Sequence, residues 1–154
     1  MSNLAARDSL ERARRLFLEK PAAGRKPNTA ATAVWREGLS CEVSGPAAGS
    51  NPGWLLRASI ASCAATAIAM RAAVSGIALK TLEVRVESES DARGLVGIPD
   101  VPTALGNQRM SVRIGAEGVA EARLRELVAW GEANSPVNCT LRDRPQVAMN
   151  VVTV

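Results

Sequence analysis

The chain has 154 residues, 47% hydrophobic and 22% charged, a balance that suits one globular domain and neither a disordered nor a fibrous chain. Its net charge of +4 comes from 16 Arg and three Lys scattered among 15 acids, and three Trp, one Phe and no Tyr offer no stacking platform, so nucleic acid is not expected as a partner. Histidine is absent, which removes Ser-His-Asp and Cys-His hydrolases and imidazole zinc sites, and three Cys without a CxxC pair leave no thiolate metal site; no metal or other cofactor is expected.

From the N-terminus, residues 3 to 19 place Leu10, Ala13 and Phe17 on one face and predict an amphipathic helix. Lys20 to Asn28, with two prolines, reads as a loop, so residues 1–28 form an N-terminal helix and linker and 29–154 the main domain. The opening residues lack the apolar core of a secretory signal. Ala30 to Arg36 and Leu39 to Ser44 read as a hairpin turning at Glu37-Gly38, with Leu39, Cys41 and Val43 on one face, so Cys41 reads as a small core residue.

A connector from Ser44 to Gly53 ends in Asn51-Pro52, where Asn caps a helix and Pro fits its first turn. The helix runs to about Ser75 and stops at Gly76. Its middle, Ala58 to Met70, is small or apolar on every face, so it must be enclosed by sheet or by another copy of itself. The row Ala58, Ser62, Ala65, Ala69, Ala72 would let two such helices approach closely. That apolar stretch is 13 residues between Arg57 and Arg71, short of the roughly 20 that span a bilayer, and a cytoplasmic protein without a membrane partner is expected. An odd number of cysteines in a reducing compartment argues against a disulfide framework and leaves redox chemistry open.

Thr81 to Glu89 alternates, with Leu82, Val84 and Val86 inward. Ser90 to Gln108, with three Gly and two Pro, reads as a long loop, and Arg109 to Ala116 as a strand with Met110, Val112 and Ile114 inward. Val119 to Asn134 predicts a helix, Ser135-Pro136 starts a short third helical turn with Ser135 as its N-cap, and Gln146 to Val154 predicts a closing strand. Strands following one another as hairpins predict an antiparallel sheet and an α+β fold.

Three segments carry a family resemblance. NPGWLLRASIASCAATAIAM resembles the OsmC/Ohr signature in which Asn-Pro-Glu opens the central helix and a reactive Cys follows; EANSPVNCTLR resembles the second signature, in which Cys-Pro-Val joins two helices; TAVWREGLSCEV resembles the first strands. The resemblance implies an OsmC-like fold, an intertwined homodimer with antiparallel sheets wrapped around a pair of central helices. It also implies thiol-dependent reduction of organic hydroperoxides, in which a Cys becomes a sulfenic acid and a second Cys resolves it as a disulfide.

By that resemblance Cys63 matches the attacking Cys, and Arg36, in Arg36-Glu37-Gly38, matches the guanidinium that lowers the thiol pKa, with Arg25 as an alternative. Two positions depart from the pattern: Gly53 stands where the family has Glu, and Ser135 where it has the resolving Cys. Cys139, four residues beyond Ser135, projects from the same side of a helical turn and is a candidate replacement. One reading is therefore a thiol peroxidase using Cys63 with a dithiol reductant or Cys139. A second is a non-catalytic dimer holding a small hydrophobic ligand in a cleft lined by Trp54, Leu55 and the 90–108 loop; a third is an interaction protein working through its N-terminal helix.

Overall fold

A computed structural model describes residues 3–38, 40–45 and 51–153. Its helices are α1 (Asn3–Glu19), α2 (Pro52–Val74), α3 (Ala92–Leu95), α4 (Glu121–Asn134) and α5 (Pro136–Asp143), and its strands are β1 (Arg25–Pro27), β2 (Ala31–Trp35), β3 (Cys41–Ser44), β4 (Leu79–Asp91) and β5 (Gly106–Ala116). All strand pairs are antiparallel. The sheet is centred on β4, which bonds β5 along one edge and both β1 and β2 along the other: Val84 pairs with Ala33 and Val112, and Glu89 with Pro27 and Gly106. β3 extends the sheet beyond β2. The fold is α+β, as the hairpin pattern predicts.

Register decides which side chains meet α2. Because Val84 faces both Ala33 and Val112, the alternating sets Ala31–Ala33–Trp35, Leu82–Val84–Val86 and Met110–Val112–Ile114 all point to one side of the sheet. Cys41, opposite Trp35, joins them, as its inward phase in the sequence predicts, and packs at the core margin with its Sγ 3.9 Å from Thr66 Oγ1. The core is that face closed by Ile60, Ala61, Ala64, Ala65, Ile68 and Leu127. Glu83, Arg85 and Glu87 point to the opposite, polar face, where Arg85 bonds Glu87.

The start of α2 follows its sequence signals: Asn51 Oδ1 accepts from the Trp54 N–H at 2.9 Å and Pro52 opens the helix. It stops at Ser75, and Gly76 supplies a φ of +67° that L residues rarely adopt. With 23 residues α2 is long and apolar enough to cross a membrane, but its burial against the sheet is what a core helix shows. The small-residue row is used within the chain: Ala58, Ala65, Ala69 and Ala72 are buried, so only Ser62 of that row remains at the open side. The open stripe runs through the exposed Leu55, Ser59, Met70 and Val74 and the half-buried Ser62 and Cys63, with Thr66 at its margin against Cys41.

Three expectations need correction. The segment read as a loop from Lys20 to Asn28 contains a 3-10 turn, Pro21–Gly24, and β1, because the far end of β4 offers it an edge at Glu89–Asp91. The region read as a loop from Ser90 to Gln108 begins and ends in regular structure, since β4 runs to Asp91, α3 follows, and β5 starts at Gly106. The closing strand does not form: residues 144–153 are without regular structure, and Val147, Met149, Val151 and Val152 are exposed. Their alternation suits a strand, but a strand exists only by pairing, and among the described residues no edge of the sheet bonds them. Leu39, assigned to the hairpin, and Val154 lie outside the described residues.

α4 crosses α2 at close range because Gly131 has no side chain. A Cβ built there would stand 2.3 Å from Ile68 Cγ1 and 3.0 Å from the Ile68 backbone nitrogen. Arg71 reinforces the crossing, its guanidinium lying 5.1 Å from the Trp130 ring. Gly131→Ala is expected to lower the melting temperature by several degrees, because overpacking costs roughly 1–3 kcal/mol and outweighs the helix-propensity gain of about 1 kcal/mol. An unchanged or higher melting temperature would show that the crossing relaxes freely.

Candidate functional site

Cys63 sits in the middle of α2 on the uncovered stripe, half-buried, with Ser62 on one side and Ala64 on the other. Among the described residues its sulfur makes no hydrogen bond and no disulfide, and no guanidinium touches it. The other thiols are engaged. Cys41 meets Thr66, and Cys139 donates to the Ala133 carbonyl at 3.2 Å while Arg142 donates to its sulfur at 3.5 Å.

The arginine that the family resemblance assigns to the thiol is placed elsewhere in this protomer. Arg36, just past β2, is exposed and donates from Nε and Nη2 to Glu42, which pairs with Val34 on the polar face of the sheet, away from α2. Arg25 lies 3.4 Å from Asp91 at the far end of β4. The protomer therefore does not bring Arg36 or Arg25 to Cys63. Ser135 is at the N-cap position of α5, as expected, but its side chain makes no capping bond. Its hydroxyl is fully buried and, among the described residues, is a buried side-chain polar atom without a partner.

Sequence reasoning missed Arg57. Although it is only 3% exposed, it was read as the charged flank of an apolar run. The geometry explains how it is tolerated: Nε donates to the Thr29 carbonyl at 2.8 Å and Nη1 to Ser88 Oγ at 3.2 Å. Asn28 completes the network, donating from Nδ2 to Ser88 Oγ at 3.1 Å and accepting from Ser90 at 3.0 Å. Among the described residues no carboxylate pairs with Arg57, and burial pushes its pKa below the ordinary guanidinium value. The signal was present in the sequence: Gly53, where the family pattern has Glu, lies one helical turn before Arg57. A Cβ at Gly53 would stand 3.5 Å from Arg57 Nη1.

A cavity of about 630 Å³ opens beside this pair, lined by the first turns of α2, by Pro27–Thr29, and by Asp91, Leu95 and Leu105 among others. Residues of the 90–108 region line this cavity, which lies within one chain and is not the expected cleft between subunits, and Trp54 does not: it is buried, and its indole N–H donates to the Ala30 carbonyl at 3.2 Å. Leu55 is exposed on the open stripe, and Leu56 takes its place in the lining. Asp91 is already satisfied. Arg93 donates to both of its oxygens, at 2.9, 3.0 and 2.6 Å, and this bonding holds the carboxyl well below its usual range, at about 2.

An antiparallel sheet packed on one small-residue helix, with a half-buried thiol at mid-helix and a second thiol just past a Ser-Pro junction, gives the chain its α+β architecture. Residues 45–150 match the family model described as OsmC-like protein, and the chain belongs to that family. Its fold is similar to the crystal structure of an OsmC-like hydroperoxide resistance protein from Jannaschia sp. CCS1, with a TM-score of 0.63 at 14% identity, over 84% of this chain and 95% of that one. No curated protein matches it.

The buried Ser135 hydroxyl yields a direct prediction. An unsatisfied buried hydroxyl costs about 1–3 kcal/mol, so Ser135→Ala is expected to leave the melting temperature unchanged or raise it by roughly 2–4 °C. A drop of that size would mean that the hydroxyl finds a bonding partner in solution.

Proposed function

We propose that the protein is a homodimeric thiol protein of oxidative-stress chemistry in which Cys63 reduces organic hydroperoxides. One observation carries the reading: among the described residues Cys63 is the one thiol of the three without a bonding partner, and it lies on the stripe of the central helix that the chain leaves open. Family membership and the fold shared with a hydroperoxide resistance protein support it.

In the proposed reaction the Cys63 thiolate attacks the terminal oxygen of ROOH and breaks the O–O bond. The sulfur becomes a sulfenic acid and the alkoxide leaves as ROH after taking a proton. With Ser135 unable to form a disulfide, a dithiol reductant condenses with the sulfenic acid, releases water, and frees Cys63 with its second thiol. Cys139 is the internal alternative for the resolving step.

Assembly supports the same reading. Leu55, Met70 and Val74, 48%, 47% and 80% exposed, flank the small residues Ser59, Ser62, Cys63 and Thr66 on the open side of α2. Such a stripe lets a second copy of the helix close over it. The exposed alternating Val147, Met149 and Val151 then pair with the sheet edge of the second copy, which supplies the bonds this chain's own sheet does not. The second reading, a ligand-binding rather than catalytic protein, is favoured by the cavity beside Arg57.

Two experiments test the proposal. After a brief pulse of cumene hydroperoxide followed by dimedone, mass spectrometry is expected to find the label on Cys63 well before Cys41 or Cys139, and no turnover with dithiothreitol in Cys63→Ser. Equal and slow modification of all three thiols would end the catalytic reading. Light scattering is expected to give a dimer for the full chain and a monomer, or loss of fold, after deletion of residues 145–154. A full-length monomer, or a truncated dimer of undiminished stability, would refute the assembly.

A further inference from the structure

We infer that the cavity at the start of α2 is a binding site for a small organic carboxylate, its anionic end held by Arg57 and its apolar end against Leu56, Leu95 and Leu105. This inference deepens the ligand-binding reading above and changes its chemistry, from a neutral hydrophobic ligand to an amphiphilic anion. It does not depend on redox activity at Cys63, which does not line this cavity.

The first ground is charge. Arg57 is 3% exposed, and an arginine keeps its proton at neutral pH, so a full positive charge is held in the wall of the cavity. A buried charge is costly unless matched, and the hydrogen bonds to Thr29 and Ser88 satisfy donors without supplying an opposite charge. The one carboxylate lining the cavity is Asp91, whose oxygens are taken by Arg93 and, at 3.4 Å, by Arg25. With Asp91 already paired in this way, Arg57 is left without an opposite charge among the described residues.

The second ground is geometry. Nε and Nη1 are spent on the protein, and among the described residues Nη2 has no partner. That leaves Nη2, on a side chain that lines the cavity, as the charged donor a carboxylate would take. The third ground is space. Position 53 carries no side chain, and an added Cβ would lie 3.2 Å from Asn51 Oδ1 and 3.5 Å from both Arg57 Nη1 and Leu105 Cδ1, so glycine leaves clear the space between the charge and the apolar wall. A single guanidinium matches a monoanion, and the leucines select one with an apolar tail.

The test uses the full chain and sodium octanoate, with 1-octanol and inorganic phosphate as comparison ligands, measured by calorimetry and thermal shift. Octanoate is expected to bind and raise the melting temperature. Octanol should bind at least roughly tenfold more weakly, since it loses a charge-assisted bond, and phosphate, lacking the tail, should not bind. Arg57→Gln should abolish the preference for octanoate over octanol. Because that substitution alters a buried network, Gly53→Glu is the second variant: its carboxylate can pair with Arg57 in place of the ligand, so octanoate binding should be lost while the fold is kept. Equal binding of octanoate and octanol would overturn the anion site while leaving a hydrophobic-ligand reading standing. Undiminished octanoate binding by Gly53→Glu, or binding of phosphate as tight as octanoate, would overturn it as well.

Discussion

A helix that is apolar on nearly every side has more surface to hide than one small sheet can cover, and that mismatch organises this molecule. The sheet meets α2 through residues as small as Ala31 and Ala33, both fully buried, so helix and strands approach closely over a face built largely of alanine. α4 approaches from another side only because Gly131 yields its place to Ile68. What these two covers miss is the stripe from Leu55 to Val74, and Cys63 lies on it. The position of the thiol thus follows from where the protomer runs out of material to bury its own helix.

At its first turn the same helix inverts a family pattern. Where the OsmC/Ohr signature has a carboxylate at the third position, this chain has Gly53, and one turn later it buries Arg57. The two departures form one arrangement, since the missing side chain at 53 is the space beside the guanidinium at 57. Thr29, Ser88 and Asn28, at the junction between β1 and β2 and on β4, hold the arginine in place, so the break between the two short strands is tied to the accommodation of the charge. The second signature is altered at Ser135, which is buried and unpaired; a thiol would have suited that apolar seat better than a hydroxyl does.

Much of the fold was legible because local signals and burial agree. Asn51-Pro52 and Gly76 bracket α2 as their chemistry requires, and the alternation in β4 and β5 gave the correct inward faces. Features that depend on partners distant in the chain were not legible. β1 is a strand because Glu89–Asp91 offers an edge more than sixty residues away, and nothing within Arg25–Pro27 announces it. The 146–154 alternation is real, yet pattern alone does not supply the edge a strand needs. The Ala58–Ala72 row showed that something packs closely on α2, but spacing cannot say whether the packing comes from its own sheet or a second helix. Arg57 escaped notice for a related reason: a charge beside an apolar run reads as solvated, and only the Ser88–Asn28 network, contributed by other strands, makes its burial sustainable.

These placements constrain how chemistry at Cys63 can be supported. A thiolate reacting in small, apolar surroundings needs a cation or donors close by, and within the protomer Arg36 is committed to Glu42, Arg25 to Asp91, and Arg57 to Thr29 and Ser88. Arg142 reaches a sulfur, but that of Cys139. None of these four guanidiniums is placed at Cys63. Assembly and reactivity are therefore one problem in the proposed reading: a second copy closing over the exposed Leu55, Met70 and Val74 would also face the thiol.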